Sequence, residues 1–121
     1  MYLDEICFPE EDPYVGEDVL HWVIWDVDKP VAYCSLRSTG YGEIFMARSG
    51  VLPKYRGMGL HRRMIKHRIR YARRKSFKKI YTYAEHSNPA SINNLMRCGF
   101  QYYNPDYAFA GKEFLYFCRD L

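Results

Sequence analysis

No stretch of this sequence is apolar for long enough to cross a bilayer. Its first residues, MYLDEICFPEED, are acidic where a secretory leader is basic and then apolar. These absences set the expectation of a cytoplasmic protein that does not meet a membrane. Cys7, Cys34, Cys98 and Cys118 stand far apart and form no CxxC pair. That removes the usual ground for a zinc site or a disulfide framework, and reduced, packed thiols are expected instead. His21 and His67 have no ligand-type neighbours at useful spacing, so both read as surface residues and no metal is expected. Repeats, low-complexity tracts and Pro/Gly linkers are missing too. A chain of 121 residues is too short for two ordinary domains, so residues 1–121 are expected to form one.

Acids are absent from Ile44 to Ala84, and 12 of the 18 Lys and Arg fall between Lys54 and Lys79. Nine of the 14 acids lie before Lys29. Such a split gives one surface suited to anions and a segment, PEEDPYVGED (Pro9 to Asp18), suited to cations. A basic helix face that meets only solvent is the competing explanation, and for the turns after Arg62 it is favoured over a nucleic-acid surface.

The first twenty residues, with Pro9, Pro13 and Gly16, read as loop. Three strands follow from β-branched and aromatic runs bounded by turn residues: His21 to Val27, Val31 to Ser38 and Glu43 to Val51, an antiparallel meander. Trp22 and Trp25 are expected to pack or to cover an edge. From Gly59 the period becomes helical, with Leu60, Met64, Ile65, Ile69 and Ala72 on one stripe and basic residues filling most other positions to Lys75. Lys78 to Ala84 returns to strand. Asn88 followed by Pro89 opens a second helix that Gly99 ends. Phe100 to Tyr103 and Glu113 to Arg119 are the last strands. The order β-β-β-α-β-α-β-β predicts an α+β fold, a sheet with helices against its faces.

VLPKYRGMGLHRRMI, Val51 to Ile65, places Gly57 and Gly59 and a run of cations at a helix start. The first N–H groups of a helix lack intrahelical partners and lie at the positive end of its dipole, so a phosphate there receives several hydrogen bonds. Glycines let the main chain form an anion-binding nest, and Arg56, Arg62 and Arg63 add charge. The stretch lacks both GK[ST] and GxGxxG, which excludes a P-loop and a dinucleotide fingerprint. A phosphorylated ligand is the functional reading of these residues, and an ordinary glycine loop is its rival.

VLPKYRGMGLH resembles motif A of the Gcn5-related N-acetyltransferases, V-x-P-x-Y-R-G-x-G-x-G/A. NPASINNLMRCGF, Asn88 to Phe100, resembles the family's later segment that starts with Asn and ends in Gly-Phe. The resemblance implies a mixed, mainly antiparallel sheet flanked by helices, with acetyl-CoA as co-substrate in a cleft between two splayed central strands. Main-chain groups near Ser49 to Val51 would hold the pantetheine, and those of Arg56, Gly57, Met58, Gly59, Leu60 and His61 the pyrophosphate, with Asn88 and Ser91 on the other side. A strand N–H near Val51 would polarise the thioester carbonyl. The implied activity is transfer of an acetyl group to a primary amine of a protein, peptide or small cationic acceptor. The alternative is a non-catalytic module of the same fold that binds CoA or nucleic acid.

A lysine-like amine must lose a proton first, at a cost of about 4 to 5 kcal/mol near neutrality. Glu43, 13 residues before Arg56, resembles in its offset the base glutamate of the histone acetyltransferase branch. It reads equally as a polar residue after a glycine turn, and Glu85 and His86 are further candidates. The sequence also departs from the family. His61 replaces a small residue, and would either crowd a phosphate or donate to it. Leu95 occupies the position of a thiolate-protonating Tyr, leaving Ser91, Tyr83 and Tyr107 as candidate acids. About twenty residues precede the hairpin where the family has a strand and two helices. That predicts an open acceptor side or one completed by a second chain, and an exposed sheet edge that favours a homodimer.

Overall fold

A computed structural model describes residues 19–121 in full and the main chain of 6–7 and 14–16. The acidic side chains of the Pro9 to Asp18 segment expected to line the acceptor mouth, and the side chain of Cys7, lie outside the described residues.

The meander is β3 (Val19–Asp26), β4 (Lys29–Gly40) and β5 (Glu43–Val51). It is preceded by two short strands, β1 (Ile6–Cys7) and β2 (Tyr14–Gly16), where the sequence reads as loop. Both pair with β3, whose outer edge would otherwise carry unpaired main-chain groups. After β5 come a 3-10 turn (Pro53–Tyr55), α1 (Leu60–Arg74), β6 (Lys79–Glu85), α2 (Pro89–Arg97), β7 (Gln101–Tyr103) and β8 (Phe114–Asp120). The sheet order is β1-β3-β4-β5-β6-β8-β7, antiparallel throughout except for β5 beside β6.

One face of the sheet is apolar because the inward positions alternate with period two: Trp22 and Ile24, Cys34 and Leu36, Ile44 and Met46, and Ile80 with Phe117 are all buried. α1 and α2 pack on that face and against each other. The stripe Leu60, Met64, Ile65, Ile69 and Ala72 is buried as its spacing predicts. Two further residues on it correct the sequence reading. His67, expected at the surface, is 8% exposed with its ring edge-on to Trp22, and Arg68, expected on the basic outer face, is 1% exposed. Both stand seven or eight positions after Leu60, so helical geometry turns them inward whatever their polarity. Arg68 is accommodated because Nε donates to Met64 O and Nη1 to Ser35 O, each at 3.2 Å. Trp22 is buried and Trp25 partly exposed.

Candidate active site

The site begins with a fault in the ladder between β4 and β5. Cys34 stands opposite Ser49 and Leu36 opposite Met46, so Ala47 and Arg48 together face Ser35 alone. This is a β-bulge, which bends and twists the strand that carries the extra residue. The Ser35 hydroxyl fills the gap, accepting from Arg48 N at 3.0 Å and donating to Arg48 O at 3.2 Å. β5 pairs with β6 only over Glu43–Lys79, Ile44–Ile80 and Phe45–Tyr81. Beyond that the two strands part, and Thr82 Oγ1 donating to Met46 O at 3.2 Å marks the apex of the opening.

The register fixes which main-chain groups face this gap. Leu52 N donates to Val31 O at 2.9 Å, so Ala32 and Val51 form a non-hydrogen-bonded pair. The N–H and C=O of Val51, and by alternation those of Ser49, therefore point away from β4 into the cleft. Arg56 Nε donates to Val51 O at 3.1 Å and folds the following loop back over the strand end. Tyr55 anchors the same loop by donating its hydroxyl to Asp26 at 2.9 Å.

Gly57 and Gly59 both have left-handed backbone, φ 78° and 80°. A Cβ at either would meet no protein atom within 4 Å, so packing does not demand glycine there. The backbone conformation does, and it leaves main-chain donors bare to the space in front of them. Gly59 caps α1 without a side-chain hydrogen bond, and the first turn of the helix holds no acid. Nε of Arg62 is buried without a partner among the described residues. These features surround a cavity of about 690 Å³.

Ser49, Val51, Arg56, Gly57, Gly59, Leu60, His61, Asn88 and Ser91, all named from the sequence, line this cavity. Met58 does not, because its side chain packs against the core. Asn88 caps α2, accepting from Ser91 N at 3.2 Å. Asn94 also lines the cavity and escaped the sequence reading, although it lies one turn after Ala90 on the same helix face. Its Nδ2 stands 3.1 Å from Nδ1 of His61, donating to it and leaving the ring proton on Nε2. Burial, followed by the charge of Arg68, pushes His61 down to about 4, so the ring is neutral near pH 7.

Glu43 lies on the opposite face of the sheet, in a second cavity of about 520 Å³ with Tyr81, Tyr83 and Phe109. Its carboxylate accepts the Tyr81 hydroxyl at 3.0 Å. Burial, then that hydrogen bond, pushes Tyr81 up to about 12, so its proton stays on oxygen and is donated. Glu85 accepts from Ser87 at 3.2 Å and, like His86, lines neither cavity. Among the candidate acids Ser91 lines the first cavity, Tyr83 the second and Tyr107 neither, while Leu95 is buried in the core. Among the described residues no group of His, Cys, Asp or Glu is arranged to hold a metal, and no helix is long and apolar enough to cross a membrane.

No curated protein matches this chain significantly. Solved structures do. The IAA acetyltransferase of Bacillus cereus superimposes with a TM-score of 0.76 at 13% identity, over 87% of this chain and 79% of that one. The ribosomal-protein-S18-alanine N-acetyltransferase of Escherichia coli gives 0.75 at 21% identity, over 88% and 71%. An acetyltransferase of Bacillus subtilis, solved in complex with CoA, gives 0.74 at 16% identity, over 87% and 78%. At these identities the likeness is one of fold. Residues 2–100 match the acetyltransferase (GNAT) family, and the chain belongs to it.

Proposed function

We propose that residues 1–121 form one acetyl-CoA-dependent N-acetyltransferase domain. The observation that carries this reading is the cradle of Gly57, Gly59 and the uncapped start of α1, set at the mouth of a cleft into which the N–H groups of Ser49 and Val51 point. A diphosphate satisfies the bare donors at Gly57 to His61 and gives the orphaned Arg62 Nε an acceptor. The main chain of Ser49 and Val51 serves the amide-bearing arm from one side, with Asn88 and Ser91 opposite. His61, being neutral, offers Nε2–H without adding charge. When bound, acetyl-CoA supplies the activated acyl group.

Glu43 acts as the base. It starts β5 three residues before the strands part at Met46, roughly 10 Å along the strand, so a proton reaches it through water. Tyr81 fixes the carboxylate's orientation. The S18-alanine enzyme, with the same fold, acts on an alanine of a ribosomal protein. Release of free thiol from acetyl-CoA in the presence of amines tests the activity. Glu43→Gln is expected to lower kcat by about 100-fold or more with acetyl-CoA affinity unchanged. Unchanged turnover would remove Glu43 from the base role, and cofactor binding with no turnover by the parent chain would favour the non-catalytic module.

A further inference from the structure

The sheet face turned away from both helices carries an aromatic wall beside Glu43. Phe45, Tyr83 and Phe109 form one cluster, with ring centroids 5.6 to 6.1 Å apart. Tyr81 and Tyr103 form a second at 5.9 Å. Phe109 is 50% exposed and Tyr83 37%. Ring surface is therefore held open on the side where the carboxylate lies. Such rings attract an ammonium group through their faces, and they gain further when a flat apolar body covers them.

The charges narrow the choice. Among the described residues that line this cavity Glu43 supplies the one carboxylate, bonded to Tyr81, and so matches one positive charge. Arg37 lines the same cavity on β4, opposite Phe45, and it is exposed. A second or third ammonium on the same acceptor would be placed near that guanidinium and repelled.

We propose that this cavity selects a primary amine of single positive charge joined through a short alkyl chain to an aromatic ring, over polyamines and over amines without a ring. The inference rests on the acetyltransferase reading above. In the transfer, one proton of the ammonium passes to Glu43 through water and on to solvent. The amine nitrogen then bonds the acyl carbon as the carbon–sulfur bond breaks. The electron pair leaves on sulfur, which takes the nitrogen's surplus proton to give free thiol and a neutral amide.

The test compares thiol release with 2-phenylethylamine, n-butylamine and spermidine on the full chain, alongside calorimetric titration of acetyl-CoA. The expected result is a kcat/KM for phenylethylamine at least tenfold above both others. Phe109→Ala is expected to reduce that preference several-fold without changing acetyl-CoA affinity; Phe109 is half-exposed and outside the core, so an unchanged circular dichroism spectrum is expected to accompany it. Equal or better use of butylamine or spermidine would overturn the acceptor class and leave acetyl transfer standing. Acetyl-CoA binding with no turnover of any of the three amines would overturn it as well. Failure to bind acetyl-CoA would instead overturn the reading on which the inference rests.

Discussion

Removing one hydroxyl separates the proposed orienting role of Tyr81 from the proposed base role of Glu43. Tyr81→Phe keeps the ring that packs edge-on to Tyr103 and deletes the 3.0 Å hydrogen bond to the carboxylate. The expected outcome is a kcat lower by about tenfold, corresponding to about 1.4 kcal/mol, with acetyl-CoA affinity unchanged. Single-turnover and steady-state rates measured side by side check it. Gly59→Ala acts on the other cavity. Its φ of 80° costs a side chain about 1 kcal/mol, and the new Cβ enters space open to a ligand. Acetyl-CoA affinity is expected to fall by tenfold or more, read by calorimetry, with only a small loss of thermal stability. At this scale much was legible in the sequence. Gly57, Gly59 and Asn88 announce themselves because few residues tolerate a left-handed turn or cap a helix. Asn94 was hidden because an asparagine inside a helix has no local signature, and its partner His61 lies 33 positions earlier.

At the scale of elements the bulge between β4 and β5 decides the geometry, since it turns β5 away from β6 and opens the cleft. Ser35→Ala leaves Arg48 N without the hydroxyl that now accepts from it. The variant is expected to lose about 1 to 3 kcal/mol in urea denaturation, with weaker acetyl-CoA binding as the cleft relaxes. Arg68→Ala, which empties a fully buried position and abandons Ser35 O, is expected to cost roughly 2 to 4 kcal/mol. β5 is legible over its observed span because the Gly40–Gly42 turn precedes it, Pro53 follows it, and Ile44, Phe45 and Val51 favour extended backbone. The bulge is not, because it depends on register between two strands, and an extra residue leaves no mark on composition. β1 and β2 were missed for a related reason: segments of two and three residues acquire strand geometry only from the edge of β3 that they join.

For the whole molecule, one buried and one partly buried histidine tie stability to pH. His61 and His67 are both held down to about 4, first by burial and then by neighbouring arginines: Arg68 for His61, and Arg70, Arg74 and Arg68 for His67. Both are neutral in the folded and unfolded chain above about pH 6.5, so stability there is independent of them. Below that the unfolded chain takes up protons that the folded chain refuses. Stability is expected to fall by about 1.4 kcal/mol per pH unit for each ring until about pH 4, where the folded state titrates too. Melting temperatures from pH 8 to pH 4 check the slope, and His67→Phe is expected to flatten it by about half. The α+β order and the family were legible because motif A and the Asn88 segment are local. The burial of His67 and Arg68 was not, because residue type argued for the surface while helix phase argued for the core.

In the proposed function, bare main-chain donors at Gly57 to His61 bind the diphosphate of an acyl-CoA. Calorimetric titration of the full chain with acetyl-CoA tests it directly. One molecule bound per chain with a micromolar dissociation constant, weakened at least tenfold in Gly59→Ala, is the predicted result. No detectable heat, or an affinity that Gly59→Ala leaves untouched, would contradict it.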